Sequence, residues 1–396
     1  MPDVMATGRL AGRFGTTQAV ALELAVVAVV TVPYLPLAWG AVIGAGAILL
    51  LAGGLFRFGG RWGYETVTAW LRLVRRRAGA RAARTGPYRG DLPILAPRLS
   101  IHAARQRTGA IGVGEDELGW FAAIALTPVD GLSRGHGATL RLDWLARLVA
   151  DASLAASTLQ IVVRHTPLPS AGLEPASACA RSYQALREAL GVPAQRDVWI
   201  AVRLGLRDGA QAAAQRGGDL AGVHRALASA LGRISAGLAA ADLDHEVLDA
   251  AGLHRSLTVA CGQYPASLSS GSASPTREAW SAWRGHRAVH VCFAVKSWPA
   301  AAPPHLFTEL ARLPQALSVS TAMVFSGTAP VAGQRIVPVR TLVRVAAAPE
   351  VVGSCVRELR STARRLGVPL VRLDGEQAAG VYATAPTGAA IGLAPW

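Results

Sequence analysis

The chain has 396 residues, with 40 basic and 25 acidic side chains and a formal net charge of +15. This length accommodates a membrane segment together with one large or two small folded domains. A nucleic-acid-binding protein would spread its basic charge over a folded face with interleaved aromatic side chains, and because that pattern is missing we expect no nucleic-acid partner.

Two apolar segments, residues 17–34 and 37–56, stand near the N-terminus. Each is long enough to cross the hydrocarbon core of a bilayer as a helix. Pro33 and Pro36 lie between them, where proline ends one helix and begins the next. The sequence therefore predicts a transmembrane hairpin of two helices.

The arginines predict the orientation of this hairpin. Arg9 and Arg13 precede the first segment, and twelve arginines against two acidic residues lie between Arg57 and Arg107. The turn between the segments carries no charge, so the positive-inside rule predicts a multi-pass protein of the cell membrane with both termini cytoplasmic. Basic residues at the end of an apolar segment also predict contact with anionic lipid headgroups.

Three residues of the hairpin are candidate contacts in the membrane. Glu23 is the one charged residue between Arg13 and Arg57, and it either reaches the near interface or pairs with a partner helix. Gly40 and Gly44 form a G-x-x-x-G pair, which lets another helix approach closely.

The segment after the hairpin predicts an amphipathic helix. Its apolar side chains recur at i, i+3, i+4 and i+7, namely at Val67, Trp70, Leu71 and Val74. The helix either lies along the inner leaflet, with Trp70 as a contact, or continues the second membrane helix as a stalk.

The arginines of this region divide into two groups by their distance from the membrane. Arg75, Arg76 and Arg77 lie close enough to the leaflet to set topology, because electrostatic attraction fades within a Debye length of about 8 Å. Arg81, Arg84 and Arg89 lie further along the chain. We expect the second group to dock on an acidic cytosolic face of a neighbouring subunit.

The remaining chain predicts a cytosolic α+β domain that forms an α/β sandwich of two ferredoxin-like halves. Each half shows a β-α-β-β-α-β order once a helix over 176–190 is treated as an insertion in the first half. A serine- and glycine-rich stretch at 265–276 separates the halves. The predicted divisions are a cytoplasmic tail (1–16), two transmembrane helices (17–56), a basic juxtamembrane helix and linker (57–107), a first half (108–255), a flexible linker (256–285) and a second half (286–396).

No sequence motif predicts a catalytic, cofactor-binding or metal-binding residue. The glycines at 109, 112 and 114 lack the Lys-Ser/Thr of a phosphate loop, and the four cysteines contain no C-x-x-C pair, which favours free buried thiols in the cytosol. Asp242 and Asp244 have the D-x-D spacing that some glycosyltransferases use to hold a metal. They follow a long helix, where aspartate commonly forms a turn, so turn formation is the favoured interpretation.

The whole arrangement resembles the EccE family of the type VII (ESX) secretion system of actinobacteria. The resemblance rests on the helix pair followed, in order, by RWGYETVTAWLRLVRRR, GVGEDELGWFAAIALTP, WSAWRGHRAVHVCFAVKSWP and VPLVRLDGEQAAGVYATAP. It implies a non-enzymatic structural subunit of a hetero-oligomeric membrane complex, beside EccB, the ATPase EccC and EccD, with its soluble domain in the cytosol. The alternative is a membrane-anchored glycosyltransferase-like enzyme that uses Asp242 and Asp244.

Overall fold

A computed structural model describes the fold of the chain. The described residues are 16–34, 36–55, 57–58, 61–83, 92–106, 109–127, 144–145, 147–148, 157–167, 177–182, 185, 194–262, 276–285, 288–299, 306–326, 329–331 and 334–390.

The N-terminal region forms two helices that pack against each other, α1 (Thr16–Thr31) and α2 (Leu37–Leu55), joined through a short 3-10 helix over Val32–Tyr34. The break falls at the prolines, as the sequence predicts. Judged by length and apolar character together, none of the described helices qualifies as a membrane-spanning segment. The two-span topology thus stays a prediction.

A short antiparallel pair of strands, β1 (Arg57–Phe58) and β2 (Arg61–Trp62), leads from α2 into a long helix, α3 (Gly63–Ala83). After α3 comes the short helix α4 (Leu92–Leu95). Both α3 and α4 lie against the large sheet that forms the rest of the molecule.

The described part of the chain builds one twelve-stranded sheet in which every adjacent pair of strands is antiparallel. Its strands are β3 (Ser100–Gln106), β4 (Gly109–Asp116), β5 (Gly119–Leu126), β6 (Ser157–Pro167), β7 (Ala194–Gly205), β8 (His245–Val247), β9 (Arg277–Glu278), β10 (Trp283–Arg284), β11 (Val289–Val295), β12 (Ser318–Phe325), β15 (Val339–Ala347) and β16 (Leu370–Arg372). A separate hairpin, β13 (Ala329–Val331) with β14 (Gln334–Ile336), precedes β15. The predicted α+β class with a large antiparallel sheet is confirmed.

The sheet repeats one arrangement of strands on both sides of its centre. In the first half the order across the sheet is β8, β5, β7, β6, and in the second it is β16, β11, β15, β12. In each half, therefore, the fourth strand lies beside the first, the first lies beside the third, and the third lies beside the second. The halves meet where β6 pairs with β12, so one sheet runs through both.

A further parallel between the halves lies at the outer edge of each first strand. There the fourth strand pairs with one end of the first strand, and a leading hairpin pairs with the other end, β3–β4 in the first half and β9–β10 in the second. In each half, the residue that follows the fourth strand makes a backbone hydrogen bond to the first strand. Leu248 N–H donates to Ala123 O at 3.0 Å, and Leu373 N–H donates to Cys292 O at 2.9 Å. Each of these leucines is followed by an aspartate, Asp249 and Asp374.

Helices cover both faces of the sheet, because its strands alternate apolar side chains to either side. On one face, α5 (Leu206–Gln215) and α6 (Leu220–Ala240) pack on the first half, while α8 (Leu306–Ala311) and α9 (Val352–Arg365) pack on the second. On the opposite face, α4, α7 (Ala250–Ala260) and α10 (Gln377–Ala383) share a single apolar cluster that spans both halves.

The structure differs from the predicted organisation in several segments. Strand β3 lies in the region predicted as a linker, helix α7 runs across the predicted boundary at 255, and β9 and β10 lie in the segment predicted as flexible. Strand β3 was missed because SIHAARQ carries polar side chains at a sheet edge, and α5 was missed altogether. The helix predicted over 176–190 lies mostly outside the described residues. The division into domains itself stays a prediction.

Candidate functional site

Helix α3 is joined to the sheet by an ion pair between Arg76 and Glu278. Arg76 Nε donates to Glu278 Oε2 at 3.0 Å, and Arg76 Nη2 donates to Oε1 at 3.1 Å. The Glu278 side chain is 4% exposed, and its Oε1 also accepts a hydrogen bond from Ala378 N–H at 3.0 Å. One buried carboxylate therefore links α3, the edge strand β9 and the first turn of α10.

Two neighbouring arginines extend this contact. Arg77 Nε donates to the Glu278 backbone carbonyl at 2.9 Å, and Arg72 pairs with Glu376 at 3.4 Å. Arg76 Nη2 also donates to the Gly375 carbonyl. Gly375 has a φ of +76°, and a Cβ there would lie 2.7 Å from the Trp280 ring, so this turn requires glycine. We refer to Arg72, Arg76, Arg77, Glu278 and Glu376 as the α3 clamp.

A cavity of about 740 Å³ lies between the α3 clamp and the sheet. The three clamp arginines and Glu278 line one side of it, and α4 with the residues that follow it lines another. Asp116 at the end of β4 and Tyr382 of α10 complete the wall. The site thus brings together the first and second halves of the sheet and the helix that enters from the N-terminal region.

Asp116 is held in a second, deeper ion pair. Arg203 of β7 binds it bidentately, with both Nη–Oδ distances at 2.7 Å, and Tyr382 Oη donates to Oδ2 at 2.6 Å. The Arg203 and Asp116 side chains are 5% and 7% exposed. Arg203 also lies over the Phe121 ring, 4.9 Å from its centroid. We refer to Asp116, Arg203 and Tyr382 as the buried triad.

The buried triad shifts the acidity of its two titratable members. Burial alone would raise the pKa of Asp116, but the hydrogen bonds and charge of Arg203, with those from Tyr382 and the Leu118 N–H, hold that pKa below its ordinary value of 3.8. Burial, together with the Asp116 charge, raises the pKa of Tyr382 well above its ordinary value. Asp116 is thus an ionised acceptor and Tyr382 a neutral donor at neutral pH, a pairing suited to holding structure.

The segment after α10 is buried across the centre of the sheet. Gln160 of β6 donates through Nε2 to Ala383 O at 2.6 Å and accepts through Oε1 from Gly388 N–H at 2.7 Å. Arg203 Nε donates to Thr387 O at 2.7 Å. Through these bonds the last described part of the second half is tied to strands of the first, next to the buried triad.

The side of α3 that faces away from the sheet is apolar. Ala69 and Leu73 are buried, whereas four larger apolar side chains are between 43% and 55% exposed: Val67, Trp70, Leu71 and Val74. These four are the stripe that the sequence predicts. A shallow pocket of about 310 Å³ lies between this stripe and Trp280.

The remaining predicted contact residues lie apart from this site. Glu23 is exposed on α1, and Gly40 lies on α2 with Val32 O 3.4 Å from where a Cβ would be. Gly44 has no described neighbour within 4 Å of such a Cβ. Arg75 is exposed on α3, the backbone of Arg81 belongs to the same helix, and Arg84 and Arg89 lie outside the described residues. Contact of any of these with lipid or a partner stays a prediction.

The D-x-D pair lies in a turn. Asp242 follows α6 with a φ of +56°, a left-handed conformation that aspartate tolerates, and Asp244 O accepts from Thr127 N–H at 2.9 Å. Within the described residues, no group of three or more His, Cys, Asp or Glu side chains is arranged to hold a metal ion. The glycosyltransferase alternative gains no support from this geometry.

The cysteines are free, and three of them are buried: Cys261, Cys292 and Cys355. Burial raises the pKa of the Cys292 thiol to about 12; the charge of Arg344 opposes this shift, and the smaller effect of the Glu278 charge adds to it. Cys179 is exposed, contrary to the expectation that all four thiols would be buried.

The segment that contains Arg203 and Glu278 also carries a family signature. Residues 192–295 match the family model described as "EccE: Putative type VII ESX secretion system translocon, EccE". This confirms, over that segment, the resemblance to the EccE family. No curated protein matches the chain. The matched segment runs from β7 to β11, so it includes the sheet partner of the α3 clamp but not α3 itself.

Sequence reasoning missed the acidic members of both ion pairs. Arg76 was predicted to lie close to the leaflet and to set topology, which stays a prediction; its guanidinium binds Glu278, which stands 202 residues away along the chain. No local pattern signals such a pair. For Asp116, the one available signal is its place in the acidic tip GEDEL between two apolar strands, where a buried acid requires a cationic partner.

Proposed function

We propose that the chain is a structural, non-enzymatic, membrane-associated subunit of a type VII secretion complex, in which α3 holds the sheet domain against the membrane. One observation carries this proposal. Helix α3 binds the sheet with its arginine side and turns its apolar stripe outward.

The outward stripe favours contact with the inner leaflet over a free stalk. An interfacial helix buries one apolar face at the boundary between headgroups and acyl chains, and Trp is a preferred residue there. A stalk surrounded by water would leave Val67, Trp70 and Leu71 solvated, which is unfavourable by about 25 cal/mol per Å² of apolar surface. The sheet covers one side of α3. The apolar phase nearest to the other side is the membrane, because α2, which precedes α3, is proposed to span it.

The proposal includes the predicted topology. Helices α1 and α2 form the two-span anchor, both termini are cytoplasmic, and the sheet domain lies in the cytosol. Proline-separated apolar helices flanked by arginines support this orientation. A reporter fused after Trp396 is expected to be active only on the cytoplasmic side, and activity only outside the cell would contradict the topology.

We further propose that the two halves of the sheet are related ferredoxin-like units. The shared strand order, the shared leading hairpin and the matched Leu248 and Leu373 hydrogen bonds support this relation. Because the last described segment crosses from the second half to the first, the two units form one rigid scaffold and do not act as separate modules.

The partners proposed from the resemblance are EccB, the ATPase EccC and EccD, together with anionic lipid headgroups. Arg81, Arg84 and Arg89 would dock on an acidic cytosolic face, for which we propose EccD. Reversal of these three charges is expected to release the protein from the detergent-extracted complex while leaving it in the membrane. Full retention of the triple variant in the complex would contradict the docking proposal.

A charge exchange tests whether α3 works by clamping the sheet or by binding lipid. Arg76→Glu is expected to abolish secretion and co-purification with the complex. Arg76→Glu with Glu278→Arg should restore both in part, because the exchanged pair keeps opposite charges but loses the hydrogen bonds to Ala378 N–H and the Gly375 carbonyl. Arg75→Glu is the matched control, since Arg75 is exposed on the same turn of α3. Lipid attraction is the better explanation if Arg75→Glu and Arg76→Glu are equally defective and Glu278→Arg does not rescue Arg76→Glu.

A further inference from the structure

A pair of histidines joins the free edge of the sheet to the helix above it. His102 lies on the edge strand β3, and His224 lies in the first turn of α6, on the face of the sheet that α6 covers. Their Nε2 atoms are 3.1 Å apart, and their ring centroids are 5.1 Å apart with the planes inclined by 46°. Neither residue belongs to the α3 clamp or the buried triad, which lie toward the opposite face.

We propose that His102 and His224 together bind a divalent transition-metal ion, of the class of Zn²⁺, Ni²⁺ or Co²⁺, between β3 and α6. Two imidazole nitrogens that each lie about 2.0–2.1 Å from one ion stand about 2.8–3.4 Å apart when the angle between them lies between a right angle and the tetrahedral angle. The separation of 3.1 Å falls within that range, so both nitrogens can bind one ion with only a small rotation of the rings. Imidazole is a preferred ligand of these ions.

The surroundings of the pair suit a cation. Glu115 of β4 lies opposite Ser100, two residues from His102 on β3, so the alternation of side chains puts Glu115 and His102 on the same face of the sheet. Asp219 caps the first turn of α6 by accepting from Gly222 N–H at 3.1 Å. Both carboxylates are close enough to His224 to act on its charge. They lower the electrostatic cost of placing a positive ion between the rings.

Metal binding requires each imidazole in its neutral form. Without an ion, the Nε2–H of one ring donates to the Nε2 of the other. One histidine then carries its proton on Nε2 and the other carries it on Nδ1.

The described residues supply two nitrogens and no preformed third ligand of the His, Cys, Asp or Glu types. Water would complete the coordination. Such a site is open, and its effect is to fasten β3 to α6 at the end of the sheet that α3 does not reach.

The test is a titration of the full-length protein, purified in mild detergent with an affinity tag that contains no histidine. Zn²⁺ is titrated in competition with a chromophoric chelator, and Co²⁺ binding is followed by its visible absorption. We expect one ion per chain at pH 7.5 and a rise in melting temperature with Zn²⁺. Binding should weaken as the pH falls, because a metal binds only the neutral imidazole.

Two single variants and one control decide the outcome. His102→Gln and His224→Gln should each weaken binding at least about 10- to 100-fold and remove the Zn²⁺-dependent rise in melting temperature. His254→Gln, at an exposed histidine of α7, should bind as the parent does. The proposal is overturned if the parent binds no ion, if either ligand variant binds as tightly as the parent, or if His254→Gln alone abolishes binding. Melting temperatures measured without metal identify any variant that fails to fold. If one ligand variant fails to fold, the other ligand variant decides the test.

Discussion

The two ends of the sheet differ in what covers them. At the β9 end, α3 lies against the edge strand, and Arg77 binds the carbonyl of Glu278 that this edge presents. At the β3 end, the strand pairs with β4 on one side, and no described strand pairs with the other. Two halves with the same strand order therefore present one covered and one open edge.

This difference indicates how the chain divides its tasks. An open edge strand exposes unpaired backbone groups that can pair with another chain, and proteins commonly blunt such edges with charge or a covering element. The β9 edge is covered by the helix that leads to the N-terminal region, so it orients the sheet. The β3 edge carries exposed Arg105 and the histidine pair, and no strand of the described residues covers it.

The largest expected effect concerns the buried triad, which joins the second half of the sheet to the first. Arg203→Leu leaves Asp116 buried and unpaired, which should lower the free energy of unfolding by about 3–5 kcal/mol. The control is Arg98→Leu, because the Arg98–Glu117 pair is 77% and 60% exposed and should contribute less than about 1 kcal/mol. Urea unfolding in detergent measures both. Equal losses in the two variants would show that the triad does not hold the halves together.

A smaller effect is expected at the α3 clamp, because the Arg76 side chain is one-third exposed. A double-mutant cycle of Arg76→Met and Glu278→Gln should give a coupling energy of about 1.5–3 kcal/mol, typical of hydrogen bonds to charged groups. The same unfolding assay gives the four values of the cycle. A coupling energy near zero would mean that the covered edge is held by α3 through other contacts.

The ion pairs Arg203–Asp116 and Arg76–Glu278 are features that the sequence does not predict. The β-α-β-β-α-β order of both halves could be predicted because strands such as β5 and β11 are mostly apolar runs. Strand β3 is polar at its edge, and the two-residue strands β9 and β10 form a short hairpin that pairs with β11 through β10. Arg72 and Glu376 are 304 residues apart, so their pairing is a product of the complete fold.

The pH dependence of stability offers a second test of the buried triad. Because the folded pKa of Asp116 lies below its ordinary value of 3.8, its contribution to stability is complete above that pH and is lost as the pH falls through the folded pKa. The parent should therefore lose stability below about pH 3.8 more steeply than Asp116→Asn, by up to about 1.4 kcal/mol per pH unit. Parallel acid profiles for the two proteins would contradict a charged Asp116.

The smallest effect is expected at the turn that joins α6 to β8. Asp242→Gly with Asp244→Ala should change stability by less than about 1 kcal/mol, because glycine adopts the left-handed conformation of Asp242 without strain. Secretion should be unchanged. A folded double variant that loses a metal-dependent sugar transfer present in the parent would contradict the structural role of this turn and of the whole chain.

Hydrogen exchange followed by mass spectrometry tests most directly whether α3 fixes the β9 end of the sheet. The Ala378 amide donates to Glu278, whose carboxylate Arg76 holds, whereas β3 lies at the other end. Arg76→Ala in the full-length protein should speed exchange of the peptides covering 276–285 and 377–383 and leave those covering 100–106 unchanged. If exchange of 276–285 and 377–383 stays as slow as in the parent, α3 does not hold this edge.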